Sequence, residues 1–127
     1  MNTELFAKIH EVITVEPRLF DMTTWEDTNA CGTTRCIAGW AVHLNTNQPL
    51  YTQFGDLHES VAELSESLGI EVIGGYNSDF QNIARELLGL DAWTAARVFY
   101  ISDTRAKQFV ELAANGYEDE ALSLLSE

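Results

Sequence analysis

The run Cys36-Ile37-Ala38-Gly39-Trp40-Ala41-Val42 contains no charged or strongly polar side chain. Read at helical spacing, Cys36, Ile37, Trp40, Ala41 and Leu44 form one face, while Ala38, Gly39 and Val42 leave the opposite face apolar as well. A helix with no polar side has to be covered all round. The rest of the chain is therefore expected to pack about a buried central helix over residues 33–44. Gly39 in the interior of that helix costs about 1 kcal/mol relative to alanine, and the ordinary reason for such a residue is close approach of another backbone or a bulky ring. Phe20 and Trp25 upstream, with Trp40 on the adjacent face, supply aromatic groups for that packing. Gly32 permits a positive φ where the chain enters the helix, and Thr33 is placed to cap it.

The flanking segments carry narrower apolar stripes. Leu5, Phe6, Ile9, Val12 and Ile13 recur with helical period after Thr3, a candidate cap, and Pro17 ends that helix. Residues 18–32 have no sustained period but hold Leu19, Phe20, Met22 and Trp25, so they are expected to lie against the core. Asp56 can cap a helix using Leu57, Val61, Leu64 and Leu68 and stopped by Gly69. Asp79, Asp91 and either Ser102 or Asp103 open three further helices, with Gly89 and Gly116 as breaks, and a last helix carries Ala121, Leu122 and Leu125. Residues 45–56 and 69–78 have no period that decides their conformation. The expectation is one domain over residues 1–127, an all-α compact orthogonal bundle of about six or seven short helices. The chain is 127 residues long and 46% hydrophobic, enough for one packed core without disulfide or metal staples.

Twenty acids oppose seven Lys and Arg, for a net charge of −13. Acids outnumber bases in both halves, so no acidic tail or basic arm stands apart. This charge repels phosphate backbones and anionic lipid, which argues against direct nucleic-acid or membrane binding. It also steers the molecule toward basic protein surfaces. Met1 to Phe6 does not resemble a signal peptide, and two Cys without an export signal suit a reducing compartment. A cytoplasmic location is expected.

Chemistry, if present, would centre on the cysteines. Cys31 or Cys36 near a helix N-terminus, with Arg35 adjacent, is a candidate nucleophile, and His10, His43 or His58 a candidate base. Against this, Cys36 falls on the buried face, where a thiol behaves as a small hydrophobe. Cys31 and Cys36 have four residues between them, so a redox pair depends on a bend at Gly32. A zinc set would combine Cys31, Cys36 and His43 with His58 or His10. Cys36 and His43, though, lie about 10.5 Å apart along a helix at 1.5 Å per residue, and helical ligand pairs sit three or four residues apart. Neither metal nor other cofactor is therefore expected. Glu59, Glu63 and Glu66, and the run Glu118-Asp119-Glu120, read as solvated faces, while Arg85, Arg97, Arg105 and Lys107 read as partners in surface ion pairs. Gly74-Gly75 lacks the length and the lysine of a phosphate loop.

Phe20-Asp21-Met22 and Trp25, the block Cys31-Gly32-Thr33-Thr34-Arg35-Cys36-Ile37-Ala38-Gly39-Trp40-Ala41, the later Ala84-Arg85-Glu86-Leu87-Leu88-Gly89-Leu90 and Val98-Phe99 together resemble a group of small proteins of actinobacteria and their phages that share a Cys-Gly-Thr-x-x-Cys-x-Ala-Gly-Trp-Ala block. The resemblance covers most of residues 5–100, excluding 45–78. It implies a phage or prophage setting and assigns no activity or site residue. With the acidic charge, it favours a protein-binding or regulatory module docking to a host or viral protein. The alternatives are a small thiol-dependent enzyme centred on Cys31 and an acidic nucleic-acid mimic. In the leading reading Trp25, Cys31, Gly32, Thr33, Cys36, Gly39 and Trp40 are a structural core motif.

Overall fold

The computed structural model describes residues 1–29, 32–53, 55–71 and 76–125. Among these, seven helices carry the architecture: α1 (Thr3–Val15), α2 (Ile37–Thr46), α3 (Glu59–Ser67), α4 (Tyr76–Leu88), α5 (Ala92–Val98), α6 (Asp103–Ala114) and α7 (Glu118–Ser123). A single 3-10 turn, Pro17–Leu19, follows α1, and two three-residue strands, β1 (Asp27–Asn29) and β2 (Gly32–Thr34), form an antiparallel hairpin with Thr28 opposite Thr33. The all-α expectation holds, with this hairpin as its one addition among the described residues.

The central helix is where the apolar run requires it, but it begins later than residue 33. Ile37, Ala38, Gly39, Trp40, Ala41 and Val42 are all buried, and Cys36 caps α2, its Sγ accepting from the Gly39 N–H at 3.4 Å. Thr33 does not cap a helix, and Gly32 does not mark a helix entry: both belong to β2, where the Thr33 and Thr28 hydroxyls lie 3.0 Å apart. Thr is a good cap, but Gly32 to Thr34 pair with 27–29 instead of opening a helix.

α4 packs on one side of α2, and α1 packs on α2 and, more extensively, on α6. Phe6 of α1 meets Phe109 of α6 edge to face at 5.7 Å between centroids. The α1 cap is Asn2 and not Thr3: its side chain accepts from the Leu5 N–H. The same residue donates from its backbone N–H to the Leu88 carbonyl and from its amide to that of Leu87, so one asparagine starts α1 and closes the end of α4. α3 is capped by His58, two residues beyond Asp56, with Nδ1 accepting from the Ser60 N–H. α4 opens at Tyr76, ahead of Asp79, which is buried inside it. Asp91 and Ser102 cap α5 and α6, accepting from the N–H groups of Thr94 and Arg105. Within 45–56, Leu50 is fully buried and Tyr51 bridges to Leu57; of 69–78, residues 72–75 lie outside the described residues.

Candidate functional site

Residues 20–26 cross the N-terminal end of α2 as a strap. The strap is fixed by backbone hydrogen bonds: Arg35 N–H to the Leu19 carbonyl, Asp21 N–H to the Arg35 carbonyl, and Cys36 N–H to the Thr24 carbonyl. This crossing explains Gly39. A β-carbon there would overlap the Trp25 carbonyl oxygen and press on Arg35. Trp40 ties the other end of the strap, its indole N–H donating to the Leu19 carbonyl at 3.1 Å. Trp25 packs against Phe80 of α4, which also meets Tyr51, at 5.8 and 5.4 Å between centroids.

Inside the crossing lies an ion pair that local sequence could not reveal. Arg35 Nε donates to Glu26 Oε2 at 2.8 Å, with both side chains only 7% exposed. Both Glu26 oxygens accept from the Leu50 N–H, and the Arg35 guanidinium stands 4.8 Å over the Trp40 ring. The positive charge of Arg35, a candidate support for a cysteine thiolate, is thus matched by Glu26.

Of the candidate nucleophiles, Cys36 is 3% exposed, and burial pushes its thiol up to about 11, a shift the nearby Asp21 charge reinforces. At neutral pH it is a protonated thiol serving as a cap. Cys31, and with it any pairing or reaction with Cys36, lies outside the described residues. Two of the candidate bases are engaged elsewhere. His43 pairs through Nδ1 with the Gln48 carbonyl at 2.8 Å and meets Trp40 edge to face, and His58 caps α3; His10 sits half-buried on α1. No three His, Cys, Asp or Glu side chains among the described residues converge as metal ligands.

Two features do face outward. Between the strap at 22–25 and the turn at 99–103 an open cleft of about 640 Å³ runs down to Cys36. Its lining is predominantly apolar, with Met22, Trp25, Phe99 and Ile101, and Asp103 stands at its rim, Oδ1 accepting from the Met22 N–H at 2.8 Å. Beside the cleft, α5 turns Thr94, Ala95 and Val98 inward and leaves Trp93, Arg97 and Tyr100 outward. These are spaced i, i+4 and i+7, one side of a helix. The backbone at Phe99 keeps helical dihedrals, so Tyr100 continues the row. Trp93 is 50% exposed and Tyr100 61%; the Arg97 guanidinium lies 3.9 Å over the Trp93 ring, and the Tyr100 hydroxyl donates to Gln81 Oε1 at 3.1 Å.

The row was legible in the sequence. Thr94, Ala95, Val98 and Phe99 complete an inner face that forces 93, 97 and 100 outside, a pattern that helical spacing alone displays. The cleft was not legible, because its two walls are some eighty residues apart in the chain. No helix among the described residues is long and apolar enough to cross a membrane. Comparisons with protein-family models, with curated proteins and with solved structures found no match to this chain.

Proposed function

We propose that this chain is a protein-binding module, in keeping with the phage or prophage setting its Cys-Gly-Thr block suggests, and that it docks to a host or viral protein through the outer face of α5. The observation that carries the reading is the exposed Trp93–Arg97–Tyr100 row. Trp, Arg and Tyr are the residues most often responsible for binding energy at protein interfaces. Here they lie together, partly prestacked, so less side-chain freedom is lost on docking. A net charge of −13 favours fast encounter with a basic partner. Thiol catalysis at Cys36 runs against the raised thiol, since a nucleophilic cysteine needs the opposite shift.

The test is affinity capture from bacterial lysate with the wild-type chain and with a Trp93→Ala/Tyr100→Ala double variant, both checked for an unchanged far-UV spectrum. The expected outcome is a protein held by the wild type at low salt, released as salt rises, and lost from the variant. Capture that is indifferent to the double substitution removes α5 as the docking face.

A further inference from the structure

We infer that the cleft between residues 22–25 and 99–103 receives an arginine side chain of the protein partner. This deepens the proposed docking function and rests on it, because Tyr100 belongs both to the exposed row and to the cleft wall.

The chemistry of the walls selects the occupant. Trp25, Phe99 and Tyr100 line the cleft, and aromatic rings attract cations, guanidinium groups in particular because they also stack flat. Met22 and Ile101 add apolar surface that suits the three-methylene stem of the same side chain. One carboxylate of the lining completes the arrangement, and a second lies beside it in the chain segment that leads into the cleft wall. Asp103 is at the rim, and its Oδ1 is occupied by the Met22 N–H, which fixes its orientation and leaves Oδ2 as a further acceptor. Asp21 is outside the lining but is held by the hydroxyl and N–H of Thr23, which does line the cleft, and these bonds keep its carboxyl below the usual aspartate range. Among the described residues, no lysine or arginine lines the cleft. The charge of the whole molecule has the same sign as these two groups. An anion meets repulsion here, and a neutral apolar group leaves the carboxylates unmatched; a cation on a slender apolar stem satisfies both. The volume exceeds one side chain and leaves room for the partner backbone that carries it.

The experiment uses the full chain with assigned amide resonances. It is titrated to millimolar concentration with N-acetyl-arginine amide and, separately, with N-acetyl-citrulline amide, which has the same shape without the charge. Arginine amide should shift the Thr24, Tyr100 and Ile101 amides, and citrulline amide should not. Asp103→Asn keeps an oxygen acceptor for the Met22 N–H while removing the charge, and should weaken the arginine amide about threefold, the order expected of one partly exposed ion pair. Asp119→Asn on α7 removes the same one negative charge and should leave the affinity unchanged. Equal shifts with citrulline amide, no shifts at these amides, or equal weakening by both substitutions would each overturn the inference. If capture of a partner depends on Trp93 and Tyr100 while arginine amide leaves the cleft unmoved, the inference falls and the docking face stands. Loss of both sinks the two together.

Discussion

Replacing glycine by alanine inside a helix ordinarily stabilises it by about 1 kcal/mol. At Gly39 the sign reverses, because the new methyl would occupy the space of the Trp25 carbonyl oxygen, a backbone atom pinned by the strap's hydrogen bonds. Gly39→Ala should lower stability by about 3 kcal/mol, the range of overpacking with backbone displacement, read as a fall in the urea midpoint. Cys36 makes a second prediction at this scale. With its thiol near 11 and its surface covered, it should stay unlabelled by iodoacetamide at neutral pH in the native protein and react on adding denaturant, as peptide mapping of that residue would record. Asp91 gives a pH dependence of definite sign. Hydrogen bonds from the Thr94 N–H, then its hydroxyl, hold the Asp91 carboxyl below its ordinary value of 3.8. The unfolded chain therefore takes up the proton first as pH falls, so the cap's stabilisation is complete above about pH 4 and lost as pH drops through the lower folded value. Asp91→Asn keeps an acceptor at the cap without the titration. The variant should lose less stability than wild type between pH 4 and 2 in parallel thermal melts.

Between elements, the strongest dependence is on the strap over α2. Glu26 at the end of the strap pairs inside the protein with Arg35, just ahead of α2, and Leu50 adds the connection that follows α2. A buried pair contributes little compared with apolar residues of the same shape, but breaking one side leaves a charge without a partner, at about 3–5 kcal/mol. Glu26→Gln should therefore cost about 3 kcal/mol in chemical denaturation, and adding Arg35→Met should recover part of that loss. A total equal to the sum of the single effects would show that the two residues are not coupled. Asn2 is the corresponding joint between α1 and α4, where the helix cap and two bonds to the end of α4 come from one residue. Such joints escape sequence reading. The Asp91 and Ser102 caps are visible because a cap and its N–H are three residues apart, whereas the Asn2–Leu87 contact joins residues that only folding brings together.

At the level of the whole molecule, charge and shape point the same way. Apart from the buried Glu26 and Asp79, the described acids lie at or near the exterior, and on that acidic body α5 presents a compact aromatic row beside an open cleft. Electrostatics of this kind govern encounter rate more than the lifetime of a complex. Binding of the captured partner should consequently lose association rate steeply as salt rises. Trp93→Ala should instead raise the dissociation rate by about thirtyfold, corresponding to a hot-spot loss of about 2 kcal/mol. Surface plasmon resonance separates the two rates directly.

What the amino-acid sequence determined alone were the properties set by neighbours along the chain. They comprise the helical class, the burial of the segment from Cys36 to Val42, the glycine stops, the requirement for a close neighbour at Gly39, and the sign of the surface charge. Each follows from helical periodicity, capping or composition. Tertiary structure alone decided that Gly32 to Thr34 pair as a strand, that Cys36 caps the central helix, that Glu26 neutralises Arg35, and that residues 22–25 face residues 99–103 across a cleft. These depend on which distant segments meet. That choice is settled by how the whole chain covers one helix with no polar side, and no local pattern contains it.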